Sequence, residues 1–337
     1  MNRVAGLFLA VGILSLLLSG CDSGRRQYDP SASVVEEFSG ARAFRHVEAL
    51  VDLGPRPSGS DALESSRDYL ISQLSEWGWE TVRQAFPAET PEGEMEFVNL
   101  RARFGEGRWD SEVSGLVAAH YDTKRYEGFR FVGANDGGSG VGVILELAQL
   151  LSSQPEIAEE IELVFFDGEE ALGPNITSKD GLYGSRHYAK EMLITDERKR
   201  PHWGILLDMV GDTDLEIRAA IQIPNSGLRA LAETREKSGY IVDIQSVEKS
   251  LQGMAKDLLK GAEELGIRSQ VGVSPNYIVD DHIPLNVVAG IPTINLIDFD
   301  YPYWHTPADT IEKVSAESLE ISGRIALHLI EKYSVDW

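Results

Sequence analysis

The feature that most constrains the fold is a series of short apolar runs interleaved with segments of helical periodicity. Four runs have the length and apolar character of buried strands, at residues 115–119, 161–166, 203–208 and 291–297. Apolar residues at helical spacing lie between or beside them, at residues 61–77, 139–152 and 316–333. Apolar strands that alternate with helices are typical of a largely parallel sheet covered on both faces. The sequence therefore predicts an α/β domain.

Polar residues follow these apolar runs directly. His120 and Asp122 come after the first run, the pair Glu169 and Glu170 after the second, and Asp208 ends the third. In sheets of this kind, ligands bind outside the carboxyl ends of the strands. We therefore expect these acidic and imidazole groups to meet at one edge of the sheet.

Five residues are candidate metal ligands, and they share oxygen or imidazole nitrogen donors: His120, Asp136, Glu170, Asp208 and His305. Such donors suit zinc. Singly, each has a structural explanation, as a strand cap, a turn residue, an exposed acid or a packed ring. Their joint placement after successive strands predicts a catalytic zinc site.

Two further carboxylates have expected roles beside this site. Asp122, two residues after His120, is placed to hold the imidazole in one tautomer. Of the adjacent pair, Glu170 would bind the metal and Glu169 would stay free as a proton shuttle.

The N-terminus has the pattern of a secretory signal. Residues 1–20 contain Arg3 and the apolar run 7–18, and they end in small residues before Cys21, the only cysteine. This order predicts a lipoprotein signal peptide with lipid on Cys21, and the alternative is an uncleaved membrane helix. With one cysteine, neither an intrachain disulfide nor a structural thiolate zinc site is expected.

The remainder divides into two parts. Residues 21–36 are polar and predict a tether that follows the lipidated cysteine, and residues 37–337 form one catalytic domain. The expected location is the bacterial cell envelope, lipid-anchored and facing the periplasm or the exterior. The formal net charge of -23 disfavours nucleic acid as a partner, because an acidic surface repels the phosphate backbone.

Ordered motifs along the chain resemble those of the zinc aminopeptidase and glutaminyl cyclase superfamily. The matching strings are LGPRPSGS (53–60), AHYDTK (119–124), VGANDGGSGVGVILELA (132–148), LVFFDGEEA (163–171), LYGSRH (182–187), LLDMVGD (206–212), VDDHIPL (279–285) and YWHTPADT (303–310). The resemblance implies a mixed eight-stranded sheet between layers of helices. It also implies Asp136, Glu170 and His305 as zinc ligands and Glu169 as general acid/base. His120 and Asp208 correspond to positions that bind a second zinc in the aminopeptidases.

The resemblance leaves two enzymatic branches, both acting on peptide N-termini. In the cyclase branch, with one zinc, N-terminal glutamine closes to pyroglutamate and ammonia leaves. The long spacer after Glu170 and the doublet Asp280-Asp281 favour this branch. There Asp208 and Asp280 would hold the scissile amide nitrogen, while Trp304, Asp281 and His282 would form the substrate pocket.

The aminopeptidase branch would use two zincs, and Glu169 would activate a water for hydrolysis. The string LLDMVGD favours it, and so does Asn175, near the position of a tryptophan that animal cyclases carry. A third alternative is a non-catalytic surface-binding module. The presence of every ligand argues against that alternative.

Overall fold

The sheet that organises the molecule has six strands. We analysed a computed structural model, which describes residues 33–223 and 242–336. The strand order is β1-β2-β4-β3-β5-β8. The pairs β1–β2 and β2–β4 are antiparallel, and the pairs β4–β3, β3–β5 and β5–β8 are parallel. The strands within the described residues are β1 Trp79–Thr90, β2 Gly93–Phe104, β3 Gly115–His120, β4 Ile161–Phe166, β5 Trp203–Asp208, β6 Ile217–Ala219, β7 Val271–Val273 and β8 Thr293–Ile297.

Helices cover both faces of this sheet. They are α1 Gly40–Leu53, α2 Asp61–Glu76, α3 Ser139–Leu151, α4 Pro155–Ala158, α5 Tyr183–Ile194, α6 Ile244–Glu264, α7 His282–Pro284 and α8 Ala316–Asp336. Alternate residues of a strand point to opposite faces. On β3, Val117 and Ala119 accordingly join the apolar cluster under α1, α3 and α8. Leu116 and Ala118 join the second cluster, under α5 and residues 283–291.

The predicted apolar strands and their helical partners are confirmed. The runs 115–119, 161–166 and 203–208 match β3, β4 and β5, and their residues are buried throughout. The helix predicted over 61–77 is α2, where the Ser60 side chain accepts a hydrogen bond from the Leu63 N–H as N-cap. The predicted α/β architecture with a mostly parallel central sheet is therefore confirmed.

The expected eight-stranded sheet is wrong in its strand count. The central sheet has six strands, and β6 and β7 form a separate parallel pair. The reason is that β6 reaches β8 through one isolated antiparallel bridge, between Ala220 and Asn295. A single bridge does not continue a ladder.

The sequence reading missed the hairpin formed by β1 and β2 and the helices α1, α5 and α6. Its two strands pair with each other over 12 positions, from Trp79–Phe104 to Thr90–Gly93, and β2 joins β4 of the sheet through four pairs. Burial alternates along only part of β1, because β1 is the edge strand and one of its faces is exposed to solvent. Such a pattern is a weaker sequence signal for a strand than a continuous apolar run.

The last residues of the predicted tether contact the core. Val34 and Val35 are buried in the core cluster, and the Val34 N–H donates to Glu331 Oε1 at 2.8 Å. Val34 and Val35, at the end of the predicted tether, therefore pack against the domain. The signal peptide and Cys21 lie outside the described residues. Among the helices that the structure describes, none combines the length and the apolar character needed to cross a membrane.

Candidate metal centre and active-site pocket

Three parallel strands bring the candidate site together. His120 is the last residue of β3, Asp208 is the last of β5, and Glu169 and Glu170 follow the end of β4. Because β3 lies between β4 and β5, the connection after β3 runs to β4 on one side, and the connection after β4 crosses to β5 on the other side. Ligands bind at such a switch point in parallel sheets, and His120 stands at this one.

Asp136 reaches the same place from the turn that precedes α3. Gly137, next to it, has φ +81°, and a Cβ there would lie 2.3 Å from the Asp122 carbonyl oxygen. Only glycine permits this approach. The Asp309 carboxylate accepts the N–H groups of Asn135 and Asp136, at 2.9 and 3.1 Å. The turn is thereby fixed with the Asp136 side chain directed at His120.

His305 comes from the loop after β8, in a left-handed conformation with φ +57°. Met209, which follows Asp208, is also left-handed, with φ +49°. Non-glycine residues in this region are uncommon and cluster at functional sites. The Trp304 ring stacks on the His305 imidazole, with centroids 4.3 Å apart. The Phe131 ring meets the imidazole edge-on at 6.0 Å.

The candidate ligands form two groups that share Asp136, and each group has its donor atoms within 4.8 Å of one another. In the first, His120 Nε2 lies 3.2 Å from both Asp136 Oδ1 and Asp208 Oδ1. In the second, His305 Nε2 lies 3.2 Å from Glu170 Oε1 and 3.4 Å from Asp136 Oδ2. The two oxygens of Asp136 thus face different groups.

The donor set fits a zinc ion. Buried carboxylates outnumber the cationic groups here, and a buried charge needs a partner. Asp136 Oδ2 is buried and accepts no hydrogen bond from the described residues. Two imidazole nitrogens and several carboxylate oxygens are the ligands that zinc accepts. A divalent cation would satisfy the free oxygen and offset the excess negative charge.

Glu169 and Asp280 face the cavity without belonging to either ligand group. Burial, together with the charges of Glu170, Asp280 and Asp281, raises the pKa of Glu169 well above its usual range. Burial and the charges of Asp208 and Asp281 raise the pKa of Asp280 in the same way. A carboxyl group with a raised pKa can both take up and release a proton near neutral pH.

The cavity beside these groups has a volume of about 210 Å³. Its acidic end carries Asp208, Asp280 and the metal-ligand candidates, and its mouth is apolar. Trp304, 42% exposed, and Phe299, 46% exposed, stand at the mouth with their rings 5.2 Å apart. The pocket is thus polar at its base and aromatic at its entrance, with room for one side chain.

Two of the predicted pocket residues do not line this cavity. Asp281 and His282 are fully buried, at 0% exposure, beneath the pocket. His282 opens α7 and burial lowers its pKa to about 3, so the ring is neutral in the folded protein. The DDH string places only its first residue, Asp280, at the cavity, because the chain turns into a helix directly afterwards.

Asp122 has a different main contact from the expected one. Its Oδ1 lies 3.5 Å from His120 Nδ1, which is long for a hydrogen bond. Its two oxygens accept the N–H groups of Glu169 and Glu170, at 3.2 and 3.3 Å. Asp122 therefore fixes the backbone of the glutamate pair, so that Glu169 and Glu170 point in different directions.

Three site residues escaped the sequence reading. Lys124 is buried, donates to the Ala171 carbonyl at 2.5 Å and lies 3.6 Å from Glu170 Oε2. Asp309 holds the Asp136 turn, and Asn295 donates to Asp280 Oδ2 at 2.6 Å. Lys124 and Asp309 lie inside matched motifs, which was the available signal. Asn295, in the middle of β8, carries no local signal.

The family model of peptidase family M28 matches residues 99–330, which is more than half of the chain. A glutaminyl-peptide cyclotransferase-like protein of Mus musculus is 31% identical over 298 residues, which cover 82% of this chain and 72% of the relative. The glutaminyl cyclase of Porphyromonas gingivalis superposes with a TM-score of 0.72 at 25% identity, covering 88% and 98% of the two chains. A Zn-dependent exopeptidase from Parabacteroides distasonis has the same fold, with a TM-score of 0.71, 24% identity and coverage of 87% and 98%.

Proposed function

This chain belongs to peptidase family M28, and on that premise we propose that it is a zinc-dependent glutaminyl cyclase acting on peptide N-termini. The proposed reaction converts N-terminal glutamine to pyroglutamate and releases ammonia. One observation carries the proposal: Glu169, Asp208 and Asp280 face one small cavity whose base contains the Asp136, Glu170 and His305 group. The relatives named as glutaminyl cyclases add to it.

We assign Asp136, Glu170 and His305 as the ligands of the zinc ion. Their donor atoms lie within 4.8 Å of one another, and all three line the cavity. When bound, zinc supplies positive charge that polarises a carbonyl group of the substrate. Lys124, 3.6 Å from Glu170 Oε2, holds that carboxylate from the side opposite His305 Nε2, which contacts Oε1.

Glu169 moves the proton in this mechanism. The substrate's α-amino nitrogen bonds to the carbon of its own side-chain amide, and the bond from that carbon to the amide nitrogen breaks. Glu169 takes a proton from the attacking amine and gives one to the departing nitrogen, which leaves as ammonia. Its raised pKa suits both steps. Because amine and amide belong to one residue, the pocket mainly supplies orientation.

Asp208 and Asp280 orient the leaving nitrogen by accepting its N–H groups. The Asn295 amide holds Asp280 Oδ2 at 2.6 Å, so that this side chain has a fixed direction. The Trp304 indole forms the wall of the pocket beside His305. A glutamine residue enclosed in this way would have its α-amino nitrogen near its side-chain amide carbon, in a conformation that resembles the five-membered ring of the product.

Mass spectrometry of two peptides tests the proposal. Purified, zinc-loaded protein is incubated with a Gln-led peptide and with the same peptide led by Leu. We expect the Gln-led peptide to lose ammonia and the Leu-led peptide to stay intact. An unchanged Gln-led peptide, from protein that contains zinc, would reject the cyclase.

A zinc aminopeptidase is the second candidate, and the first ligand group favours it. His120, Asp136 and Asp208 are placed to hold a second zinc, with Asp136 shared between the two groups. Glu169 would then take a proton from an attacking water. The same experiment separates the candidates, because the Leu-led peptide would lose its first residue. Metal analysis gives the number of zinc ions per chain, which is a second test: one zinc favours the cyclase and two favour the peptidase.

We also propose that the protein is anchored to the bacterial cell envelope by lipid on Cys21. The support is the order of residues 1–21, with an apolar run and small residues before the cysteine. Cys21→Ala is expected to move the full-length protein from the membrane fraction to the soluble fraction of its host. Retention of this variant in the membrane fraction would favour an uncleaved membrane helix instead.

A further inference from the structure

A second cavity lies between the end of β1 and the first turns of α5, and its volume is about 810 Å³. Phe86, Tyr183 and His187 form an aromatic wall, in which the Phe86 and His187 rings stack with centroids 4.0 Å apart. Lys179 and Lys190 stand at the exposed sides. We name this cavity the basic groove.

The basic groove has the opposite charge from the molecule as a whole. The chain carries a formal net charge of -23, whereas the groove is lined by Lys179, Arg186 and Lys190 against one carboxylate, Glu89. Within the part of the chain that the structure describes, neither lysine ammonium forms an ion pair. Glu191, on the same helix, is engaged with His187 and does not line the groove.

Two of these cations repel each other. Arg186 and Lys190 are four residues apart on α5, a spacing that places like charges side by side. Burial, together with the charge of Arg186, lowers the pKa of Lys190. An anion seated between the two side chains would relieve this repulsion. The two lysines without an ion pair, together with Arg186, therefore indicate a site for negative charge.

The groove adjoins the active-site pocket through one loop. Pro174, Asn175 and Ile176 line the pocket, and Ser178 and Lys179 line the groove. Three residues from Ile176 to Lys179 span at most about 10 Å.

Hydrogen bonds hold this loop in place. Arg186 donates to the Thr177 and Ser178 carbonyls, and the Asp180 carboxylate accepts the Leu172 and Gly173 N–H groups. The two cavities therefore keep a fixed distance, and an extended peptide could occupy both.

We propose that the basic groove binds acidic residues of the peptide substrate, downstream of the N-terminal residue held in the pocket. The inference rests on the proposed function and adds a substrate class to it. An extended chain rises about 3.4 Å per residue, so the acidic residues would begin at about the fourth or fifth position. A concave groove with an aromatic wall suits a peptide better than it suits a flat membrane surface.

Kinetics on matched peptides test the groove. Two Gln-led decapeptides share their first three residues and then carry either a Glu/Asp-rich or a Gln/Ser-rich segment. We expect kcat/KM to be about fivefold higher for the acidic peptide, mainly through KM, and the preference to fade at high salt. Lys179→Ala/Lys190→Ala should reduce the preference to less than about twofold. Lys249→Ala/Lys256→Ala removes the same charge from exposed positions of α6 and should leave it unchanged.

A short substrate and a binding assay separate the possible failures. A glutaminyl dipeptide amide does not reach the groove, so the groove variant should convert it as the wild type does. If no Gln-led substrate reacts, the proposed function fails. If both decapeptides react equally well, the groove proposal fails alone.

Fluorescence anisotropy with a labelled acidic peptide that begins with pyroglutamate measures binding without turnover. Loss of this binding in the lysine variant supports the proposal. Binding of phosphatidylglycerol-containing vesicles through the same lysines, without peptide binding, would overturn it.

Discussion

At the scale of single residues, the site depends on two adjacent glutamates with different tasks. The backbone N–H groups of Glu169 and Glu170 donate to opposite oxygens of Asp122, and both side chains line the cavity, where only Glu170 contacts His305. The doublet can therefore supply both a metal ligand and a free carboxyl group.

Glu169→Gln should abolish most turnover and leave zinc binding intact. The amide has the size of the carboxyl group but cannot take up the proton, so we expect kcat to fall by about 10²–10⁴. Glu170→Gln is the matched control, for which zinc content itself should fall. Kinetics and metal analysis measure the two effects. A Glu169→Gln enzyme that keeps more than a tenth of its activity would contradict the assigned role.

His46 makes stability depend on pH away from the active site. Its ring is buried, with Nδ1 2.6 Å from the Tyr69 hydroxyl, and burial lowers its pKa to about 4. A lowered pKa stabilises the fold above the unfolded value of about 6.5, and this contribution is lost as the pH falls through 4. We expect unfolding in urea to cost about 2 kcal/mol less at pH 5 than at pH 8 because of His46.

His46→Gln should remove this part of the pH dependence, since glutamine does not titrate. His202→Gln, at an exposed histidine, is the control and should keep it. An equal pH dependence in wild type and His46→Gln would show that other groups are responsible.

At the scale of elements, an ion pair between the partly exposed Arg42 and the buried Glu146 joins α1 to α3. Glu146, on α3, has 0% exposure. It accepts the Ser39 N–H at 3.1 Å and the Arg42 Nε at 2.8 Å. Ser39 is also the N-cap of α1, so one carboxylate fixes where α1 begins and how it lies on α3.

Arg42→Met should destabilise the domain by about 2 kcal/mol, because it leaves the buried Glu146 carboxylate without its cation, while solvent screens the partly exposed Arg42 side of the pair. Arg42→Met/Glu146→Leu should recover part of this loss, since no charge is then buried. Arg45→Met, at an exposed position of the same helix, should change stability by less than about 0.5 kcal/mol. Urea unfolding measures all three. A double variant as unstable as Arg42→Met would exclude the buried charge as the cause.

At the scale of the whole molecule, the candidate zinc ligands come from segments that are distant in sequence, so we expect zinc binding to depend on the folded domain. His120 and His305 are 185 residues apart and lie around one carboxylate, Asp136. A cation that binds only the folded state stabilises it by mass action. The acidic cluster should therefore be less stable without zinc.

Removal of zinc by a chelator should lower Tm, and added zinc should restore it in a concentration-dependent way. At 100 times Kd the stabilisation is about 2.7 kcal/mol. Asp136→Asn, which weakens the ligand shared by both groups, should show little response to zinc. Thermal unfolding with metal analysis tests this. A full response of Asp136→Asn would remove Asp136 from the site.

The sequence by itself determined the α/β class, the three central parallel strands and the acids and imidazoles that follow them. Continuous apolar runs and strand-end polar residues are local signals, so 161–166 and Glu169-Glu170 could be read directly. The ordered motifs indicated the zinc aminopeptidase and glutaminyl cyclase superfamily.

Only the tertiary structure decided the strand count, the burial of Asp281 and His282, the task of Asp122 and the basic groove. Each of these depends on how distant segments meet. β6 fails to extend the sheet because one bridge is all it shares with β8. Asp280 faces the cavity while its neighbour does not, because the chain turns into a helix there. Local sequence sets which groups a segment carries, whereas long-range packing sets which of them face the same space.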